Sequence, residues 1–272
     1  MSANEEPGFV GVIPAAGLGS RLGPMGYPKE LLPIAFDGNV TTLGMRPRPV
    51  MAYSLEMLER ARVRRSIVVI SELKHEIMQV FGGGESHGQS LVYAVRRLPR
   101  GLADAVDAAS PWLMGRNVCL TLPDTIIEPA SALRDVCAAF SAASADVVLG
   151  VFPTSIPEQL GPVRIGVDGA VLEVLDKPKE CSIKNTWAIA VWGPRFTQLL
   201  AEKNQKAAGE ASGPILGEVF QAAVERGLDV RAQYFPEGRF FDLGTSTGWG
   251  EFLRRSIEMI AGENAPVGTY AS

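Results

Sequence analysis

The sequence contains few of the residues that form disulfide frameworks, zinc sites or histidine-dependent active sites. Of its 272 residues, three are cysteine and two are histidine. Because Cys119, Cys137 and Cys181 are widely spaced and odd in number, we expect reduced thiols and no zinc site. Neither histidine has the sequence context of a nucleophilic triad, which argues against that class of hydrolase.

The chain also lacks an excess of positive charge and a long apolar run. Its formal net charge is -4, which argues against a nucleic-acid-binding surface. A short group of arginines, Arg60, Arg62, Arg64 and Arg65, is expected to flank a helix end. No stretch approaches the roughly 18 apolar residues of a membrane span, and the first residues lack the apolar core of a signal peptide. We therefore expect a cytoplasmic protein without nucleic-acid or membrane partners.

Hydrophobic residues make up 46% of the chain, enough for a large core, and their pattern alternates between strand and helix. Strands are predicted near residues 10–13, 66–70, 91–95, 118–122 and 146–152, with helices near 50–61, 75–81, 102–113 and 130–144. This alternation predicts an α/β fold with a mostly parallel, Rossmann-like, doubly wound sheet. Ligands of such sheets bind at the carboxyl ends of the strands.

Beyond residue 160 the pattern changes to short strands, predicted at 163–167, 171–175 and 186–192. These strands predict a small β layer inserted into the main fold. Helices near 195–205, 216–226 and 249–260 and a strand near 229–234 complete the chain, which we expect to form a single domain over 1–272.

A loop of small residues follows the first predicted strand. Its backbone N–H groups are expected to be accessible to a ligand at four positions: Ala15, Ala16, Gly17 and Gly19. Arg21 and Lys29 add two positive charges to the same region, which suits a triphosphate. The residues therefore predict a phosphate-binding loop, while an ordinary strand-to-loop turn with a salt-bridged arginine is the alternative without a ligand.

Two other phosphate-binding motifs do not match this loop. A dinucleotide fingerprint requires a third glycine where the chain has Leu22. A Walker A motif requires four residues between its glycines and then Gly-Lys-Ser or Gly-Lys-Thr, which the sequence after Gly17 does not supply.

The run Gly-Leu-Gly-Ser-Arg-Leu at 17–22, followed by Pro-Lys-Glu-Leu-Leu-Pro at 28–33, resembles the signature of the sugar-1-phosphate nucleotidyltransferases. It is most similar to bacterial UTP:glucose-1-phosphate uridylyltransferases, with the dTTP-using enzymes as near neighbours. The resemblance implies a nucleoside triphosphate and a sugar 1-phosphate as partners, and it allows a homo-oligomer. It also implies a nucleotide-binding half at 9–152, a sugar-phosphate-binding half at 153–245, and a C-terminal helix and tail at 246–272.

Two aspartates stand at the ends of predicted strands. Asp124 ends the run at 118–124, and Asp242 precedes a glycine at which the chain can turn. A strand-end aspartate is more often a helix cap or a turn residue. The family resemblance instead implies that both carboxylates hold one Mg²⁺, which is a cation that prefers oxygen ligands.

The resemblance assigns further residues to the two substrates. Lys177 matches the lysine of the family's Glu-Lys-Pro motif and is expected to hold the sugar phosphate. The sugar contacts are expected at Gly161, Asp176 and Ala188, of which Asp176 and Ala188 stand where the family usually has Glu and Gly. These two departures leave the sugar open.

The segment at 95–105 is expected to read the nucleobase. Gly101 is one contact, and Arg96 is another, at the position where the thymidylyl branch has a glutamine. Because arginine only donates hydrogen bonds, this departure leaves the choice of base open.

The expected reaction uses Arg21, Lys29 and Lys177 as catalytic cations, with in-line attack of the sugar phosphate on the α-phosphate. The attacking group is already an anion, so no general base is required. Two alternatives remain: a catalytically silent homologue that binds nucleotide or nucleotide sugar for regulation, and a metal-dependent glycosyltransferase. The second normally has an Asp-x-Asp motif, whereas Asp124 is followed by Thr125 and Ile126.

Overall fold

The protein is described by a computed structural model over residues 8–17, 19, 22–23, 25–37 and 46–263. The strands are β1 (Phe9–Pro14), β2 (Pro33–Asp37), β3 (Arg46–Pro49), β4 (Arg65–Ile70), β5 (Ser90–Val95), β6 (Asn117–Leu120), β7 (Thr125–Glu128), β8 (Val147–Pro153), β9 (Val163–Ile165), β10 (Val171–Val174), β11 (Asn185–Trp192), β12 (Val230–Tyr234) and β13 (Arg239–Asp242). The helices are α1 (Met51–Arg60), α2 (Glu76–Phe81), α3 (Leu102–Asp107), α4 (Ser110–Leu113), α5 (Ala132–Ala143), α6 (Pro194–Lys206), α7 (Leu216–Glu225) and α8 (Ser246–Glu263).

The central sheet has the strand order β12-β8-β11-β6-β1-β4-β5. Strand β11 is antiparallel to both of its neighbours, and the other pairs are parallel. The predicted mostly parallel α/β fold is therefore confirmed.

The expected position of the strand near 186–192 was wrong. It is β11, which lies between β6 and β8 in the central sheet and not in the inserted layer. Its last five residues are buried, because both edges of the strand are paired and helices cover both faces of the sheet. The small layer itself is present as the antiparallel pair β9–β10.

Successive apolar side chains along the strands point to opposite faces of the sheet, and they form two cores, one on each face. Val12 and Leu120 face the core formed with α3, α6 and α7, whereas Ile13 and Cys119 face the core formed with α1, α2 and α5. This is the period-two pattern expected of a strand covered on both sides. The helix predicted at 102–113 divides into α3 and α4, and Pro111 lies in the first turn of α4, where its missing N–H is tolerated.

A separate two-stranded arm was not predicted. Strand β7 begins directly after Asp124 and pairs antiparallel with β13, which ends at Asp242. A third apolar cluster supports this arm: Ile126 and Phe241 pack with Leu243, and Phe252 of α8 covers them.

The three cysteines are free, and the Sγ atoms of Cys119 and Cys137 lie 3.4 Å apart in the core. Across the described ranges, none of the helices combines the length and the apolar character needed to cross a bilayer.

Candidate active site

A cavity of about 430 Å³ lies where several strands of the central sheet end. The segments that follow β1 and β6 form part of its wall, together with the start of α3 and residues of β11 and β13. It is lined by Pro14, Gly17, Lys29, Glu30, Pro99, Gly101, Leu102, Ala105, Leu122, Pro123, Asp124, Thr125, Leu160, Trp187, Ala188, Phe240 and Asp242. The carboxyl edge of a parallel sheet is where α/β proteins present their ligand-binding residues.

The loop after β1 differs in one respect from its predicted form. The amide of Ala15 donates to the carbonyl of Val69 at 2.7 Å, so this N–H group is engaged within the sheet. Ala16 is buried, whereas Gly17 is exposed and lines the cavity. Gly19 has a positive φ of 71°, a conformation that favours glycine. Arg21 lies outside the described residues.

Lys29 reaches the cavity from a short 3-10 helix, Lys29–Leu31. Its Nζ atom forms an ion pair with the carboxylate of Asp124, which lies 95 residues away in sequence. The structure therefore brings together a predicted phosphate-binding cation and a predicted metal ligand. Both side chains are largely buried, so their charges are only weakly screened by solvent.

A second, buried ion pair supports this segment and was missed by sequence reasoning. Lys74 donates from Nζ to Glu30 Oε1 and Oε2 at 2.7 and 2.8 Å, and to the carbonyl of Ala15 at 3.0 Å. Burial raises the pKa of Glu30 and lowers that of Lys74, and the attraction between the two offsets part of each shift. The only signals in the sequence that could have indicated this pair were Glu30, which is the acidic residue of Pro-Lys-Glu, and Lys74, which is a lysine shortly after β4.

Asp124 and Asp242 meet at one end of the β7–β13 arm. Asp242 stands opposite Thr125 in the strand register, and the amide of Leu243 donates to the carbonyl of Asp124 at 2.8 Å. Asp242 Oδ1 also accepts a hydrogen bond of 2.9 Å from the amide of Gly244, which orients the carboxylate. Both aspartates line the cavity.

The chemistry of this donor set fits Mg²⁺. Mg²⁺ is commonly bound by one or two carboxylates together with water and substrate phosphates. In the part of the chain that the structure describes, no group of three or more histidine, cysteine, aspartate or glutamate side chains forms a complete protein cage. The two carboxylates that line the cavity therefore match the coordination that Mg²⁺ prefers.

The structure does not bring Arg96 to the wall of the cavity. Its Nε atom donates to Asp104 Oδ2 at 2.8 Å, and the Nη2 atom of Arg100 donates to Asp104 Oδ1 at 2.7 Å. Burial alone would raise the pKa of Asp104, but hydrogen bonds from Arg96 and Arg100 lower it to about 2. Asp104 thus holds Arg96 and Arg100 in place. The residue after Arg100 is Gly101, which lines the cavity and has a φ of 138°.

The predicted sugar-side residues divide into two groups. Ala188 lines the cavity, and its neighbour Trp187 does so as well. Gly161 packs closely against Trp187, because a Cβ atom at position 161 would lie 2.4 Å from the indole Nε1 atom.

Neither Lys177 nor Asp176 lines the cavity. The amide of Lys177 donates to the carbonyl of Leu160 at 2.8 Å, and Leu160 lines the cavity. Asp176 faces α7: a Cβ atom added at Gly217 would lie 3.8 Å from Asp176 Oδ1.

Comparison with solved structures shows the same fold. UDP-glucose pyrophosphorylase in complex with UDP-glucose has a TM-score of 0.75 and is 16% identical, with 93% of this chain and 99% of that chain covered. UTP-bound UGPase from Acinetobacter baumannii has a TM-score of 0.72 and is 17% identical, with 96% and 100% covered. At these identities the likeness is one of fold alone.

Sequence comparison extends the likeness. Glucose-1-phosphate thymidylyltransferase from Neisseria gonorrhoeae is 30% identical over 182 residues, which are 66% of this chain and 58% of that protein. The chain spans about half the length of the first curated relatives it matches. The model of the nucleotidyl transferase family matches residues 10–252. This range contains the loop after β1, Asp124, Asp242 and the other residues that line the cavity. The chain belongs to the nucleotidyl transferase family.

Proposed function

We propose that the protein joins a nucleoside triphosphate to a sugar 1-phosphate, and releases a nucleoside diphosphate sugar and pyrophosphate. The observation that carries the proposal is the meeting of Lys29, Asp124 and Asp242 at one cavity in a member of this family. UTP and dTTP are the favoured nucleotides, since the structural neighbours include UTP and UDP-glucose complexes and the relatives include thymidylyltransferases.

The main obstacle to this reaction is the repulsion between two phosphate-bearing anions. Lys29 supplies a positive charge inside the cavity, and Arg21 is proposed to supply another from the adjoining loop. The accessible backbone at Gly17 adds an uncharged contact. Fixed charges in a partly buried site stabilise developing charge more than they would in water.

Asp124 and Asp242 are the residues that would hold Mg²⁺. When bound, the cation supplies charge neutralisation for phosphate oxygens. Asp124 also contacts Lys29, so the ammonium of Lys29 would lie close to both the cation and the phosphates. This arrangement concentrates positive charge where the substrates meet.

The other end of the cavity is proposed to bind the sugar. Ala188 and the indole of Trp187 form its wall, with Gly161 packed behind the indole. Asp176 is proposed to contact the sugar hydroxyls, and Lys177 its phosphate. The methyl group of Ala188 narrows this end compared with a glycine.

In the proposed reaction, a phosphate oxygen of the sugar 1-phosphate forms a bond to the α-phosphorus. The bond between the α-phosphorus and the bridging oxygen breaks, and pyrophosphate leaves with that oxygen. The nucleophile is an anion near neutral pH, so the residues act by positioning and by charge stabilisation.

The test is pyrophosphate release measured with purified protein and Mg²⁺ over a grid of UTP, dTTP, CTP, ATP and GTP against several sugar 1-phosphates. Release confined to particular pairs, and lost on addition of EDTA, is the expected result. If the protein binds nucleotide but releases no pyrophosphate with any pair of substrates, the proposal is overturned and a regulatory role is favoured.

A further inference from the structure

A second groove, of about 660 Å³, lies at the opposite end of the central sheet. We call it the arginine groove: Arg62, Arg64, Arg65 and Arg116 line it, together with Val92 and Trp112. It shares no lining residue with the cavity described above. Val10 at the start of β1 borders the groove and Pro14 at its end borders the cavity, so strand geometry separates the two by about 13 Å.

Positive charge is concentrated in the arginine groove. Four arginine residues line it, and among the described lining residues there is no aspartate or glutamate. Arg64 contacts Glu59 Oε1 at 3.3 Å. Over the described ranges, the guanidinium groups of Arg62, Arg65 and Arg116 form no ion pair. This concentration occurs in a chain whose net charge is -4, so it is a local feature of the groove.

The groove also presents an aromatic surface. Trp112 on α4 is 57% exposed, and Val92 on the edge strand β5 is 53% exposed. A single exposed apolar side chain is ordinary. An indole beside several guanidinium groups is more specific, because the indole stacks on planar rings and guanidinium groups bind phosphate through paired hydrogen bonds.

We propose that the arginine groove binds a small anion that carries both a phosphate group and a planar aromatic ring, such as a nucleoside monophosphate. The ring packs on Trp112 and Val92, and Arg65 and Arg116 bind the phosphate. The site is separate from the proposed catalytic cavity and does not depend on the proposed reaction.

The experiment is a calorimetric titration with GMP, chosen because its purine offers a large stacking surface and guanine is not a favoured base of the proposed reaction. The titration is made on the full chain, on Lys29→Ala, which removes a positive charge from the cavity, and on Arg65→Ala/Arg116→Ala. Arg134→Ala is the matched control, since Arg134 is an exposed arginine on α5, outside the groove.

The expected result is GMP binding that survives in Lys29→Ala and Arg134→Ala and is weakened at least tenfold in Arg65→Ala/Arg116→Ala. Ribose 5-phosphate, which lacks the ring, is expected to bind roughly tenfold more weakly than GMP. This difference should disappear in Trp112→Ala and persist in Trp112→Phe.

Two results would overturn the proposal. One is that the double variant Arg65→Ala/Arg116→Ala and the control Arg134→Ala bind GMP with equal affinity, or that neither of them binds GMP. The other is a GMP preference over ribose 5-phosphate that is unchanged in Trp112→Ala. None of these titrations requires turnover, so failure of the proposed reaction and failure of this site are distinguishable.

Discussion

Lys74 places its ammonium between the carboxylate of Glu30, at 2.7 and 2.8 Å, and the carbonyl of Ala15, at 3.0 Å. Glu30 is 0% exposed and Lys74 is 6% exposed. The pair joins the segment that carries Lys29 to the end of β1. It therefore fixes the position of Lys29 relative to the end of β1.

Lys74→Met is expected to lower the free energy of unfolding by about 3 kcal/mol, because it leaves the Glu30 carboxylate buried without its partner. The double variant Lys74→Met/Glu30→Leu removes both charges and should recover most of this loss. Urea unfolding of the two variants and the unmodified protein measures the difference. Equal destabilisation in the single and double variants would contradict the assigned pairing.

Asp124→Asn and Asp242→Asn are each expected to lower Mg²⁺-dependent pyrophosphate release by at least about a hundredfold, since each removes a carboxylate that the proposal assigns to the cation. Circular dichroism should show both variants folded. Asp168→Asn is the matched control, because Asp168 is exposed in a turn and its bond to the amide of Ala170 is retained by asparagine. Full activity in both cavity variants would exclude the assignment of these aspartates.

Arg96→Gln is expected to leave the ranking of nucleotides unchanged and to lower stability by about 1–2 kcal/mol, because Arg96 binds the buried Asp104 and does not line the cavity. The assay is the same nucleotide grid, accompanied by urea unfolding. A changed nucleotide ranking with unchanged stability would instead support base reading by Arg96, as the sequence alone predicts.

The stability of the protein is expected to fall with decreasing pH as the carboxylate of Asp104 becomes protonated. The folded-state pKa of this group is about 2, below its ordinary value of 3.8, so its contribution is present above pH 3.8 and is lost as the pH falls toward 2. The difference in unfolding free energy between the unmodified protein and Asp104→Asn should therefore shrink over that window. A difference that stays constant between pH 5 and pH 2.5 would contradict the lowered pKa.

Much of the fold was predictable because its signals are local. Buried strands such as β1 and β6 are marked by short apolar runs, and the central rhythm of strand and helix follows from hydrophobic periodicity. The four-residue strand β7 was missed since such a segment is defined by its partner β13 and not by its own composition. The position of β11 was missed for the same reason: nothing within its eight residues specifies which strands it joins.

By itself, the sequence determined the glycine-rich loop, the lysine that follows it, and the two aspartates at strand ends, because residue type and a few neighbours suffice for such motifs. Only the tertiary structure decided that Lys29 meets Asp124, that Arg96 binds Asp104, and that Trp187 faces the cavity. These contacts join residues from separate elements, so strand order and side-chain packing select them. The arginine groove likewise exists only because the sheet brings the start of β4 beside α4.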